Sequence, residues 1–207
     1  MSNVTLVEHP LIAHSLTVIR DKNTATEEFR RHADVVSKVL LIEATKHLKL
    51  KDRRITTPLA PFTGSELKDD IIVVPVLRAG LAMLFSLRDF LPAVSVGFIG
   101  LERDEQTAIA REYYNKIPKV FATHIVFVID PMLATGGSMD DTIKAVKEKG
   151  AKRIVAVSIV SAPEGIERVG KNHPDVPIIT AAIDSHLNDR AYIVPGLGDF
   201  GDRYFGT

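Results

Sequence analysis

Three runs of consecutive apolar residues, Ile125–Ile129, Ile154–Val160 and Ile178–Ile183, together with Ile71–Val76, set the frame of the chain. A strand with one wet face alternates apolar and polar residues, whereas a strand covered on both faces does not. These runs therefore predict central strands of a parallel sheet. Between them the spacing changes from strand to helix. Met139, Ile143 and Val146 recur at helical intervals, Leu81 to Leu87 follows a turn after Ile71–Val76, and Pro163 opens a helix through about Val169. Strand, helix, strand, helix, strand in this order predicts an α/β fold with a doubly wound parallel sheet. Pro75 interrupts one run and is expected near its end, where a missing amide donor matters least.

The first seventy residues read differently. Pro10 starts a short helix with Leu11, Ile12, Ser15, Leu16 and Ile19 along one side. Thr24 and Glu27 have capping-box spacing for a longer helix from about Ala25 to Leu48. Its apolar stripe, Phe29, Val36 and Leu40 together with Val35, Val39 and Ile42, is wider than one contact requires. Burial within one subunit and contact with a second copy both satisfy it. Ile55–Phe62 carries two prolines and reads as an extended edge or crossover. Val94–Arg103 and Thr107–Lys116 predict a protruding hairpin with a polar tip, the mark of a mobile element over a site.

With 207 residues the chain suits a single domain, 1–207. Lys plus Arg number 26 and Asp plus Glu 26, so the formal charge is zero and no basic excess supports nucleic-acid binding. Cysteine is absent, which removes thiol nucleophiles, thiolate metal sites and disulfides together. His9, His14, His32 and His47 lack metal-ligand spacing. No apolar run reaches membrane-span length and no signal sequence opens the chain, so a cytoplasmic protein with no membrane partner is expected.

The chemistry concentrates after Ile129. Asp130 stands at the carboxyl end of the strand, followed by Ala134-Thr135-Gly136-Gly137, then a helix for which Ser138 and Asp141 form a capping pair and Gly150 a stop. Unpaired amides at a helix start, glycines that allow close approach and two hydroxyls make a cradle for phosphate. A carboxylate cannot grip phosphate, so Asp130 suits ribose hydroxyls or hydrated Mg²⁺, and a sugar phosphate is the expected occupant. No Walker G-K-[ST] closes the turn. Arg78, with Ala79 and Gly80, lies just past another strand end. Ligands gather beyond such ends in open parallel sheets, and a planar guanidinium suits a diphosphate.

The tail, Y-I-V-P-G-L-G-D-F-G-D-R-Y-F-G-T, matches G-x-G-x-x-G by letter at Gly196, Gly198 and Gly201. With only six residues remaining no helix is expected to follow, and no βαβ unit surrounds it, so the dinucleotide reading is rejected. Asp199-Phe200-Gly201 spells a kinase triplet without other kinase features. Dense glycine instead exposes backbone donors and acceptors, and uracil's acceptor, donor, acceptor edge is the kind of ligand these match. Phe200, Tyr204 and Phe205 predict that the tail is packed.

The string V-I-D-P-M-L-A-T-G-G-S, residues 128–138, resembles the phosphoribosyl diphosphate (PRPP) motif of type I phosphoribosyltransferases. Pro131 stands where most of that family has a second acid; this departure and the G-L-G-D-F-G-D-R-Y-F-G-T ending are similar to the uracil phosphoribosyltransferase branch. The resemblance covers essentially the whole chain. It implies a hairpin arm at 94–116, a base-recognition hood at 184–207, and transfer of phosphoribosyl from PRPP to uracil, giving UMP and diphosphate. It also implies that PRPP is bound by Arg78, Arg103, Asp130, Pro131, Met132, Leu133, Ala134, Thr135, Gly136, Gly137, Ser138 and Asp199. Uracil is expected against Ile193, Gly198, Asp199 and Phe200, with Arg103, Asp130 and Asp199 acting at the reacting centre. Arg111 and Lys116 add positive charge to the arm. No metal site of the chain's own is expected, since one acid fewer leaves Mg²⁺ to arrive with PRPP. A homodimer or larger homo-oligomer and a GTP effector are further expectations drawn from the family.

Overall fold

The computed structural model describes residues 3–91, 93–103 and 110–207, with side chains described except at 101–103, 110–113 and 115. The chain begins with strand β1 (Val4–Leu6), helices α1 (Pro10–Arg20) and α2 (Thr26–Ala44), and a hairpin of β2 (Leu50–Thr56) and β3 (Pro61–Leu67). Next come β4 (Asp70–Leu77), α3 (Gly80–Leu87), β5 (Ser95–Val96), β6 (Phe98–Arg103) and β7 (Ala110–Lys116). The second half runs β8 (His124–Ile129), β9 (Met132–Leu133), α4 (Gly137–Glu148), β10 (Ile154–Ser161), α5 (Pro163–Asn172) and β11 (Ile178–Ile183). The chain closes with β12 (His186–Leu187), β13 (Ile193–Val194) and α6 (Phe200–Phe205).

The main sheet has the order β1-β11-β10-β8-β4-β6-β7, parallel throughout except between β6 and β7. The consecutive apolar runs form its centre because both faces are covered. Ile71, Val73, Ile125, Phe127 and Ile129 pack with α1, α2 and α3, while Ile72, Val74, Val126 and Val128 pack with α4 and α5. After β4 the chain winds one way to β6, and it then returns to β8 on the other side of β4. The strand order thus reverses between β4 and β8. A crevice opens beyond their carboxyl ends at such a switch point.

Several local expectations change. The helix expected over 25–48 ends its α-helical part at Ala44, and the Thr24–Glu27 box does not form. Instead the Thr24 hydroxyl donates to the Val18 carbonyl at 2.6 Å, tying it to α1. Of the two readings of Ile55–Phe62, extended edge or crossover, the extended one holds: the segment is the paired ends and the turn of an antiparallel hairpin in which Thr56 faces Pro61. Thr57 Oγ1 accepts from the Leu59 and Ala60 amides, and Pro61 begins β3, where no amide is needed. The arm at 94–116 is rooted in the main sheet, because β5 and the start of β6 pair with β4. Pro75 lies opposite Ile129, two residues short of the strand end. The helix expected from Pro163 to about Val169 runs on to Asn172.

Candidate active site

The turn after β8 is built around the sheet. At Asp130-Pro131 the strand is interrupted, and the Pro131 carbonyl accepts both the Ile159 and Val160 amides at 3.0 Å. Met132 and Leu133 then resume pairing with β10, and the Leu133 carbonyl accepts from the Ala162 amide. Pro131 and Leu133 are therefore buried supports of the turn. Gly136 follows in the left-handed region at φ +76, a conformation glycine adopts without strain. It is the N-cap of α4, so the Ser138–Asp141 capping pair is replaced: Ser138 already lies inside the helix. The first amides of α4 have no partner within the helix and open onto the crevice. Gly165 of α5 seals the outer side, since a Cβ there would lie 2.5 Å from the Ala134 carbonyl oxygen.

Asp130 sits at the floor of the crevice. Its Oδ1 accepts from the Met132 amide at 3.4 Å, a long contact, and burial pushes the carboxyl up to about 7. The turn after β4 meets it closely: a Cβ on Gly80 would fall 2.6 Å from the Ile129 carbonyl oxygen. Arg78, which follows a cis Leu77–Arg78 peptide, is more than half exposed and reaches Asp202 at 3.4 Å. The backbone of Arg103 pairs with Ala110 on the arm; the side chains of Arg103 and Arg111 lie outside the described residues.

The tail folds back over this crevice. A helix does follow the glycines, contrary to expectation, because Asp199 caps α6 by accepting the Asp202 amide at 2.9 Å and Gly206 ends it at φ +78. Six residues of helix cannot make a dinucleotide site, and no βαβ unit surrounds it. Phe200 is fully buried, edge-on to Phe29 of α2 at 5.2 Å, and Tyr204 stacks on it. A cavity of about 210 Å³ is left between tail and turns. It is lined by Ala79, by Met132 and Ala134 of the turn after β8, and by Ile193, Gly198, Asp199 and Phe200. Sequence reading placed most of these; Ala79, Ala191, Tyr192 and Gly201 complete the lining without having been marked.

Three arginines hold the tail. Arg20 donates to both carboxylate oxygens of Asp184 at 2.7 and 2.8 Å and to the Gly196 carbonyl at 2.7 Å. Arg203 donates to the carbonyls of Ile19, Asp21 and Leu197 while its guanidinium lies 4.5 Å from the centre of the Phe29 ring. Arg30 donates to the Tyr204 carbonyl at 2.6 Å. Nothing local in the sequence marks these residues, because each partner is more than a hundred positions away, apart from Leu197.

Residues 6–207 match the family profile described as uracil phosphoribosyltransferase. The chain belongs to the uracil phosphoribosyltransferase family. A uracil phosphoribosyltransferase from Campylobacter fetus is 49% identical over 207 residues, covering 100% of this chain and 99% of the relative. One from Dictyoglomus thermophilum is 50% identical over 205 residues, with 99% of each chain covered. A solved protein structure from Aquifex aeolicus superposes with a TM-score of 0.91 at 33% identity, covering 99% of this chain and 98% of that one. At the level of fold alone, the adenine phosphoribosyltransferase of Trypanosoma brucei matches with a TM-score of 0.59 at 14% identity, covering 96% and 89% of the two chains.

Proposed function

We propose that this protein transfers the phosphoribosyl group of PRPP to uracil, forming UMP and diphosphate in pyrimidine salvage. The observation that carries the reading is the joining of the phosphate turn and the base cavity, with Met132 and Ala134 belonging to both. Turn amides from Ala134 to Ser138 and the Thr135 and Ser138 hydroxyls hold the 5′-phosphate. Asp130 holds the ribose hydroxyls, and Arg78 and Arg103 take the leaving diphosphate. The bond from the anomeric carbon to the diphosphate oxygen breaks as the bond from uracil nitrogen to that carbon forms. The nitrogen's proton passes to Asp199, a carboxylate in the lining of the base cavity, and from it to solvent. Pocket size suits a free base rather than a larger ligand: drug-sized sites measure roughly 300–1,000 Å³, against about 210 Å³ here.

Among the described residues no group of three His, Cys, Asp or Glu could hold a metal. Pro131 leaves Asp130 without an adjacent second acid, which fits Mg²⁺ entering as part of the PRPP complex and neutralising the diphosphate there. Among the described residues no helix is long and apolar enough to cross a membrane, in keeping with a cytoplasmic enzyme. Ile42 on the second side of α2 and Leu59 and Phe62 on the hairpin remain exposed, which supports a homo-oligomer. A single domain over 1–207 and a GTP effector complete the reading, the latter on family grounds alone.

Incubation with PRPP, Mg²⁺ and a panel of bases tests it. Diphosphate release with uracil alone is the expected result. Release only with hypoxanthine or guanine would assign a purine substrate, and no release with any base would leave a non-catalytic binding protein.

A further inference from the structure

Asp140 occupies the first turn of α4, immediately behind the phosphate turn. A carboxylate there suits the helix dipole but opposes an incoming phosphate. Its side chain is turned toward α5 and is paired there. Arg168 Nε donates to Asp140 Oδ2 at 3.1 Å, Asn172 Nδ2 donates to both oxygens at 3.1 Å, and His173 Nε2 lies 2.9 Å from Oδ1. All three come from the C-terminal half of α5 and its cap.

Arg168 also lies beside the turn itself. A Cβ on Gly137 would meet its Nη1 at 3.4 Å, and one on Gly136 would meet its Cβ at the same distance. The guanidinium is 45% exposed while the carboxylate is 14% exposed. Its field reaches further along α4: burial and the Asp140 charge raise the Asp141 carboxyl, and Arg168 opposes that rise.

We propose that Arg168 is a positioning residue for PRPP, neutralising Asp140 behind the cradle so that this carboxylate does not repel the 5′-phosphate. The inference rests on the phosphate reading of the turn. Arg168 touches no substrate in this account and acts only through Asp140 and the turn. A purely structural tie between α4 and α5 would give a different mutational signature, because its loss shows in the thermal melt and in the KM of both substrates rather than in KM for PRPP alone.

Steady-state kinetics of the full chain with PRPP and uracil distinguish the two. Arg168→Gln is expected to raise KM for PRPP about tenfold while kcat and KM for uracil stay within about twofold. Adding Asp140→Asn is expected to return KM for PRPP to within about twofold of wild type. An unchanged KM in the single variant, or a double variant no better than the single, overturns the proposal. Should Arg168→Gln melt early, Arg168→Lys preserves the charge and is expected to keep KM near wild type; a rise as large as that of a neutral substitution would refute it. Wild-type enzyme that fails to use PRPP would instead remove the underlying functional reading.

Discussion

Gly165 offers a test of the phosphate turn from a residue that contacts no substrate. In Gly165→Ala the new Cβ would lie 2.5 Å from the Ala134 carbonyl oxygen and 2.9 Å from that of Leu133. Both are backbone atoms, so no change of rotamer relieves the clash. The Leu133 carbonyl is tied to the Ala162 amide at 2.8 Å, and α5 is held by its packing on α4. The strain therefore falls on Ala134 to Gly136, which must retreat by about 1 Å to reach ordinary contact, and misplacement on that scale costs about 100-fold in rate. Stability changes less. Alanine gains about 1 kcal/mol over glycine within a helix, against roughly 1–3 kcal/mol for overpacking. The net loss is about 0–2 kcal/mol, a fall of less than about 8 °C in Tm for a chain of this size. The expected result is a folded enzyme whose kcat/KM for PRPP drops about 100-fold, read by UMP formation beside a thermal melt. A variant that melts normally and keeps kcat/KM within about threefold would show that the Ala134–Ser138 turn is not what grips PRPP.

Asp130→Asn separates stability from function through pH. The Asp130 carboxyl is raised to about 7 by burial, so the free protein binds a proton that the unfolded chain releases near its ordinary value. Stability from this group is therefore full below that ordinary value, falls as pH rises to about 7 and is flat beyond it. Contact with water in the open crevice limits the loss to roughly 2–4 kcal/mol. The asparagine variant should melt higher than wild type at pH 8 and no higher at pH 4, yet lose about 100-fold in kcat/KM for PRPP; equal melting shifts at both pH values would contradict the burial argument. Arg20→Ala strands the buried Asp184 carboxylate and should cost about 3–5 kcal/mol in urea unfolding, with Asp184→Asn in the same background recovering part of it. Arg203→Ala takes its donors from the Ile19 and Leu197 carbonyls, while the Asp21 carbonyl keeps the Thr24 amide, and should raise KM for uracil about tenfold while KM for PRPP changes by less than about threefold. The opposite order of effects would mean that the tail does not hold the base.

The two halves of the site differ in how much of them a reader of the sequence can see, and the reason is physical. The phosphate half is local. Asp130, Thr135, Gly136, Gly137 and Ser138 lie within nine consecutive residues, and the strand before them is buried on both faces, so pattern and chemistry coincide. The parallel strands β4, β8, β10 and β11 were legible for the same reason, whereas β2 and β3 were not, because an exposed hairpin lacks the burial that makes a strand recognisable. The capping pairs at Thr24 and Ser138 failed because tertiary contacts claimed the positions: Val18 takes the Thr24 hydroxyl, and Gly136 turns left-handed one residue before α4 begins. The base half is not local at all. Its glycines and Asp199 announce a backbone-lined pocket, but what keeps that pocket over the turn is Arg20 on Asp184, 164 residues away, and Arg203 on Ile19, 184 residues away. These clamps run to the helix layer rather than to the sheet. On the proposed reading the sheet positions the sugar phosphate while α1 and α2 position the base through the tail, and the relative placement of the two substrates then depends on how firmly α1 packs on α2 and α2 holds α6 through Phe29 and Phe200. Any change that loosens α1 on α2 is therefore a change in the alignment of base and ribose, even though neither helix reaches the reacting atoms.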